Sequence, residues 1–181
     1  MSQLSVVIPA YQAAGELPRA LAALAAARRT GLVAEVVVAD GGSSDATPSL
    51  AAGAGARLVV ATRGRGSQLA AGAEAAGGPW LLFLHADTAL EPGWEAAARS
   101  FMAASGSAQR AAVFRFVVDD EDGAARRLEA LVAWRCRVLG LPYGDQGLLI
   151  HRDLYSRVGG FRPLPLMEDV DIVRRIGARR L

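Results

Sequence analysis

The sequence predicts an α/β protein with a mostly parallel central sheet and helices on both faces. Three observations predict it. Short apolar runs alternate with alanine-rich helical patterns along the chain. Those runs are apolar throughout rather than alternating, as strands buried on both faces must be. The length, 181 residues, suits one domain (1–181) with a sizeable core, because two independent cores would be cramped. Apolar residues at 52% and charged residues at 21% place the chain among folded globular proteins rather than disordered ones.

In order, LSVVI (4–8) reads as the first strand. After Pro9-Ala10-Tyr11 a helix is expected from about Glu16 to Arg29, with Pro18 in its first turn and Leu17, Leu21 and Leu24 on one face. EVVVA (35–39) is the second strand, followed by the turn DGGSSD; Thr47 then reads as an N-cap and Pro48 as the first helical residue. RLVVA (57–61) is the third strand, with a helix beginning near Ser67 after the glycine-rich TRGRG. PWLLFL (79–84) is the fourth, and Pro92 opens a helix through about Ala104. AAVFRFVV (111–118) reads as a fifth strand, followed by the solvated turn DDEDGAARR (119–127) and a helix from about Ala124 to Leu139. In GDQGLLIHR the LLI segment is a short strand, and a final helix opens at Glu168-Asp169.

Composition excludes several classes. The net charge is only +2 with no block of like charge, so no nucleic-acid partner is expected. Every basic side chain other than histidine is arginine, a pattern of coding bias rather than chemistry, so arginine count alone carries no weight. No apolar run approaches the roughly 20 residues that span a bilayer. The chain enters its first strand almost at once, without a basic region and apolar signal core, so no signal peptide is expected. The single cysteine, Cys136, reads as a packed thiol; it excludes an internal disulfide and fits a reducing cytoplasm.

Polar residues gather after the strands. Pro9-Ala10-Tyr11, Asp40, Arg63-Gly64-Arg65-Gly66 and His85-Ala86-Asp87 directly follow the first four. In a parallel sheet those ends share one edge, where open α/β folds bind ligands. Asp40 can accept hydrogen bonds from a base or ribose, or simply hold a turn whose Asp45 or Thr47 caps the next helix. The TRGRGSQLAAG run is no dinucleotide fingerprint, since Leu69 takes the third glycine position and the run follows the third strand. Its two arginines before a helix can meet a phosphate or remain solvated. Asp87 can supply one carboxylate to a divalent cation completed by substrate phosphates, with His85 a softer ligand or a structural residue. Glu168 and Asp169 suit a first helical turn, and equally suit a general base for an acceptor hydroxyl.

The ordered series VVIPAY, VVVADGGSSD, FLHAD, GDQG, GGF and MEDVD resembles family 2 glycosyltransferases with the GT-A fold, over about residues 4–176. The nearest likeness is a bacterial subgroup with RGR-x-x-Q-x-x-x-G and HADT signatures. The resemblance implies a nucleoside-diphosphate sugar donor, a UDP-sugar first among them, and a divalent cation, Mn2+ or Mg2+. Pro9 and Tyr11 would border the base, Asp40 would bond base or ribose, and Arg63 and Arg65 would face the nucleotide. Asp87 would bind the metal, with His85 a second candidate. Asp145 and Gln146 would face sugar or acceptor. Asp169 would be the catalytic base, with Glu168 beside it, and Arg174 or Arg175 would offset charge on the leaving diphosphate. The implied reaction is an inverting single displacement onto a hydroxyl acceptor.

Two departures stand out: His85 replaces the first acid of D-x-D, and Gly41 the second acid of V-D-D-G. The sequence also stops 12 residues after Asp169, where relatives continue with further helices. The acceptor site is therefore expected to be open, completed by another subunit in a homodimer, or cut short. The expected location is cytoplasmic, peripheral at the inner membrane face if the acceptor is a lipid. Two alternatives stand beside this reading. One is a nucleotide-sugar-binding module without turnover. The other is a nucleotidyltransferase, against which PAYQAAG argues, because that class places a glycine-rich loop after the first strand.

Overall fold

The computed structural model describes residues 4–117, 126–127, 132, 146–164 and 166–181. The expected helix near 124–139 and the turn 119–127 fall largely outside these residues, and Cys136 and Asp145 lie wholly outside them.

A six-stranded sheet has the order β3-β2-β1-β4-β6-β5. It is built from β1 (Leu4–Ala10), β2 (Val33–Asp40), β3 (Arg57–Val60), β4 (Trp80–Phe83), β5 (Ala111–Ala112) and β6 (Leu148–His151). The first four strands are mutually parallel, with Val6 opposite Val36 and Leu82, so their C-terminal ends reach one edge. β6 runs antiparallel to both β4 and β5. The helices are α1 (Leu17–Arg29), α2 (Thr47–Gly53), α3 (Arg65–Ala75), α4 (Trp94–Ala103), α5 (Arg152–Arg157) and α6 (Glu168–Ile176).

Two cores account for the uniformly apolar strands. Leu4, Val6 and Ile8 of β1 face α1 through Leu17, Leu21 and Leu24, and face α4 through Trp94 and Ala98. Val7, Val37, Leu81 and Phe83 point to the opposite side, against Leu69 and Ala73 of α3 and Ile172, Val173 and Ile176 of α6. Successive side chains in a strand alternate faces, so a sheet covered on both sides needs apolar residues at every position. Gly72 lets α3 lie close to the sheet, since a Cβ there would stand 2.4 Å from Val7 Cγ1.

Several expected boundaries shift for local reasons. α2 includes Thr47, whose hydroxyl accepts the Ala13 N–H (2.8 Å) instead of capping its own helix, while Asp45 accepts the Thr47 N–H (3.0 Å). α3 begins at Arg65, two residues earlier than expected, because Gly64 turns the chain at φ 134° and its carbonyl accepts the Gln68 N–H. α4 begins at Trp94, after Gly93 at φ 94°. The fifth strand keeps only Ala111 and Ala112. Its partner β6 starts at Leu148, directly after Gly147 turns the chain at φ 66°.

Candidate active site

The loops after β1, β2 and β3 are tied together by side chains that motif reading passes over. Gln68, 4% exposed, donates from Nε2 to the carbonyls of Ala10 (2.7 Å) and Ala39 (2.9 Å), the ends of β1 and β2. Its Oε1 accepts the Gly64 N–H (3.3 Å), which adds the β3 corner. Gln12, at φ 51°, does the same from the other side: its amide oxygen accepts from Ser44 and Asp45 N–H, and its Nε2 donates to the Ser44 hydroxyl. Gln68 appears in the RGR signature without a role. The signal for one was a polar residue on the helix face shared with Leu69 and Gly72, because buried amides are placed where they satisfy other buried polar groups. Gln12 offered no comparable pattern.

Asp40 is 3% exposed and spends its carboxylate on the loop that follows. Oδ2 accepts from Gly42 N (3.0 Å) and Ser43 N (2.9 Å), and Oδ1 from the Ser43 hydroxyl (2.5 Å). The structure thus displays its turn-holding role. Asp45 is exposed and its carboxyl is held below the usual value, chiefly by hydrogen bonding to Thr47.

A cleft of about 720 Å3, counted to its open mouth, opens at this edge and is bordered by Pro9, Tyr11, Arg65, His85 and Asp87. Five of the sequence-predicted residues therefore share one space. Arg63 joins them indirectly: its guanidinium lies 3.9 Å from the centroid of the Tyr11 ring, a cation–π stack on the cleft wall. Asp87 is exposed, with the Thr88 hydroxyl 3.4 Å from Oδ1.

A second space, with room inside its walls for little more than one water molecule (about 20 Å3), adjoins the first at His85 and is bordered by Asp169. Among the described residues its other side-chain walls are apolar: Leu69, Phe83, Val113, Leu148, Phe161, Ile172 and Val173. Asp169 is the second residue of α6, half-buried, and its Oδ1 accepts the Val170 N–H (2.7 Å).

Glu168 does not share that exposure. It is 1% exposed, and Arg65 Nε reaches its Oε1 at 2.7 Å. This pair joins the start of α3 to the start of α6. Gly66 allows the approach, since a Cβ there would come within 2.1 Å of the Arg162 carbonyl.

Two nearby side chains make contacts within the protein. Gln146 is 5% exposed and donates from Nε2 to the Phe114 carbonyl (3.2 Å), bracing the chain beyond β5. Arg175 is committed to α6 and its preceding loop: it pairs with Asp171 (2.5 Å) and donates to the carbonyls of Val158 and Gly160. Arg174, the other candidate, is exposed. The last carbonyls of α3 are met by Arg152, which donates to those of Ala73, Ala76 and Gly78.

Among the described residues no three His, Cys, Asp or Glu side chains converge as a metal cage. Asp87 with His85 fits a different arrangement, in which Mg2+ or Mn2+ takes one or two protein ligands and substrate oxygens and water complete the shell.

The sequence matches the family model described as glycosyl transferase family 2 over residues 5–162. No curated protein sequence matches significantly. Solved structures of glucosyl-3-phosphoglycerate synthase from Mycobacterium tuberculosis share the fold. The complex with Mn2+, UDP and glucosyl-3-phosphoglycerate gives a TM-score of 0.68 at 22% identity, covering 99% of this chain and 68% of that one. The complex with Mn2+, UDP-glucose and phosphoglyceric acid gives 0.66 at 21% identity, with the same coverage. The complex with Mg2+ and UDP gives 0.65 at 22% identity, covering 94% of this chain and 62% of that one.

Proposed function

The chain belongs to glycosyl transferase family 2, and on that footing we propose that it moves a sugar from a nucleoside-diphosphate sugar, a UDP-sugar first, to a hydroxyl acceptor by an inverting displacement. We place it in the bacterial subgroup with RGR and HADT signatures. The observation that carries this reading is the junction of two spaces at His85: an open polar cleft at the strand ends, and a slot that holds Asp169.

In this reading the base lies against Tyr11, stiffened by the Arg63 stack, and the diphosphate lies toward Asp87. Asp87, with His85 beside it, would hold a Mn2+ or Mg2+ ion; when bound, that ion supplies positive charge against the diphosphate. The anomeric carbon then sits near the junction, with Asp169 on the slot side. The acceptor oxygen forms its bond to that carbon as the bond to the diphosphate oxygen breaks. The hydroxyl proton passes to Asp169, and the electron pair of the broken bond leaves with the nucleoside diphosphate. The Arg65–Glu168 pair holds α6 against α3, so Asp169 is carried on an element fixed to the donor cleft.

A thermal-shift panel of UDP-, GDP- and TDP-sugars, each with Mn2+, Mg2+ or chelator, tests the donor site. At a hundredfold excess over Kd a cognate donor adds about 2.7 kcal/mol of stability. Metal-dependent stabilisation by at least one nucleotide, lost in Asp87→Ala, is expected. If no nucleotide stabilises folded protein with any metal, the donor-site reading fails. Stabilisation without turnover toward any acceptor would instead mark a binding module.

A further inference from the structure

We infer that Glu168 is a positioning residue that acts through Arg65, holding its guanidinium at the cleft wall where the donor diphosphate would lie. The inference deepens the donor reading proposed above and rests on it.

Arg65 is the first residue of α3 and, among the described residues, the one arginine that borders the cleft at the strand ends. Its Nε lies 2.7 Å from Glu168 Oε1, while its side chain remains 47% exposed. A guanidinium carries five N–H donors in a fixed fork; with Nε turned to Glu168, four remain on the two terminal nitrogens. That end of the fork suits a pair of phosphate oxygens.

Glu168 is 1% exposed, and neither of its carboxylate oxygens accepts an aligned hydrogen bond among the described residues. Its attraction to Arg65 is a contact of charges. A buried ion pair so sparsely bonded offsets its desolvation poorly, and an apolar side chain of similar volume often serves the fold as well or better. Stability therefore does not account for a carboxylate at this position. Orientation does: a long, half-exposed arginine has many rotamers, and a fixed negative charge behind it selects among them.

Both ends of the pair stand on fixed elements. Gly66 brings α3 against the loop that precedes α6, since a Cβ there would stand 2.1 Å from the Arg162 carbonyl oxygen. Ile172, Val173 and Ile176 of α6 share a core with Leu69 and Ala73 of α3. Glu168, the first residue of α6, is thereby held at a set distance from the first residue of α3. A diphosphate entering the cleft then meets a guanidinium already oriented and does not have to order that side chain itself, which favours binding.

The test measures dissociation constants by titration calorimetry on the full chain, for UDP, GDP and TDP, each beside its monophosphate, with Mn2+ or Mg2+. The readout is the preference for diphosphate over monophosphate of the same base, a ratio that a change in overall stability does not move. Arg65→Met should cut that preference about tenfold or more. Glu168→Met should cut it about threefold or more, while its urea midpoint stays at or above the parent's. A merely structural carboxylate would not give that combination. On the Arg65→Met background, Glu168→Met should bring no further loss, because non-additivity marks two residues acting as one. Glu168→Gln, neutral and of the same shape, supplies the comparison if the Met variant does not fold. A parent without a diphosphate preference overturns the inference while nucleotide binding leaves the donor site standing. So does an unchanged preference in Arg65→Met, an unchanged or increased one in the Glu168 variants, or a second loss on the Arg65→Met background. A parent that binds none of the nucleotides overturns the donor reading and the inference together.

Discussion

Replacing Arg65 by Met would leave the Glu168 carboxylate inside the protein without its counter-charge. Glu168 is 1% exposed, and the Arg65 contact at 2.7 Å is the one ion pair it makes among the described residues. Breaking a buried pair from one side costs about 3–5 kcal/mol, because the remaining charge is stranded in a poor solvent. Arg65 itself is 47% exposed, so water screens its half of the interaction, and about 2–3 kcal/mol is the better expectation. In a protein of this size each kcal/mol moves Tm by about 2–4 °C, so a fall of about 4–12 °C is expected. Urea unfolding should show a lower midpoint at unchanged slope. Adding Glu168→Gln removes the stranded charge, and the double variant should recover at least half of the loss. The reasoning fails if Arg65→Met lies within about 0.5 kcal/mol of the parent, or if the double variant is no more stable than the single one.

Other perturbations read different parts of the molecule. Gln68→Leu removes two donors from buried strand-end carbonyls and should cost about 1–3 kcal/mol, with weaker nucleotide-induced stabilisation as the corners loosen. Asp169→Asn should lower sugar transfer by about 10²–10⁴-fold while nucleotide stabilisation persists; a loss under about tenfold would place the base elsewhere. Burial raises the Tyr155 phenol above its ordinary value of 10.0. The unfolded chain therefore sheds that proton first, so this contribution is present below pH about 10 and fades as pH rises beyond it. Urea midpoints between pH 8 and 11 should show the alkaline loss, and Tyr155→Phe should flatten it.

Much of the cleft at the strand ends was legible because its information is local. Apolar runs without alternation require burial on both faces, hence a parallel sheet, hence C-terminal ends on one edge. Pro9 lies at the end of β1, and Tyr11, His85 and Asp87 lie just beyond their strands, so their meeting in one cleft needed only the strand order. The boundaries that moved did so through contacts distant in sequence. Thr47 joined its helix instead of capping it and turned its hydroxyl to Ala13, and the fifth strand stopped where Gly147 turned its partner away.

Side-chain roles were less legible, because residue type states what a group can bond but not which bonds are already made. The sequence left Asp40 between a ribose contact and a turn, and only the structure shows its carboxylate holding Gly42 and Ser43. Nothing in the sequence told that the Gln146 amide braces Phe114. Nothing in the sequence told that Arg175 bonds to Asp171 and to the carbonyls of Val158 and Gly160. A buried polar group bonds to whatever packing brings near it, and packing is a property of the whole chain.

By itself the sequence determined the layered α/β architecture, the family and the edge on which the polar corners gather, since hydrophobic periodicity and residue order carry those directly. Only the tertiary structure decided that Arg65 pairs with Glu168, that Gln12 and Gln68 tie the corners together, and that Asp169 borders an apolar slot. Each of these depends on distances between residues far apart in the chain, which are set when the two cores on either side of the sheet close.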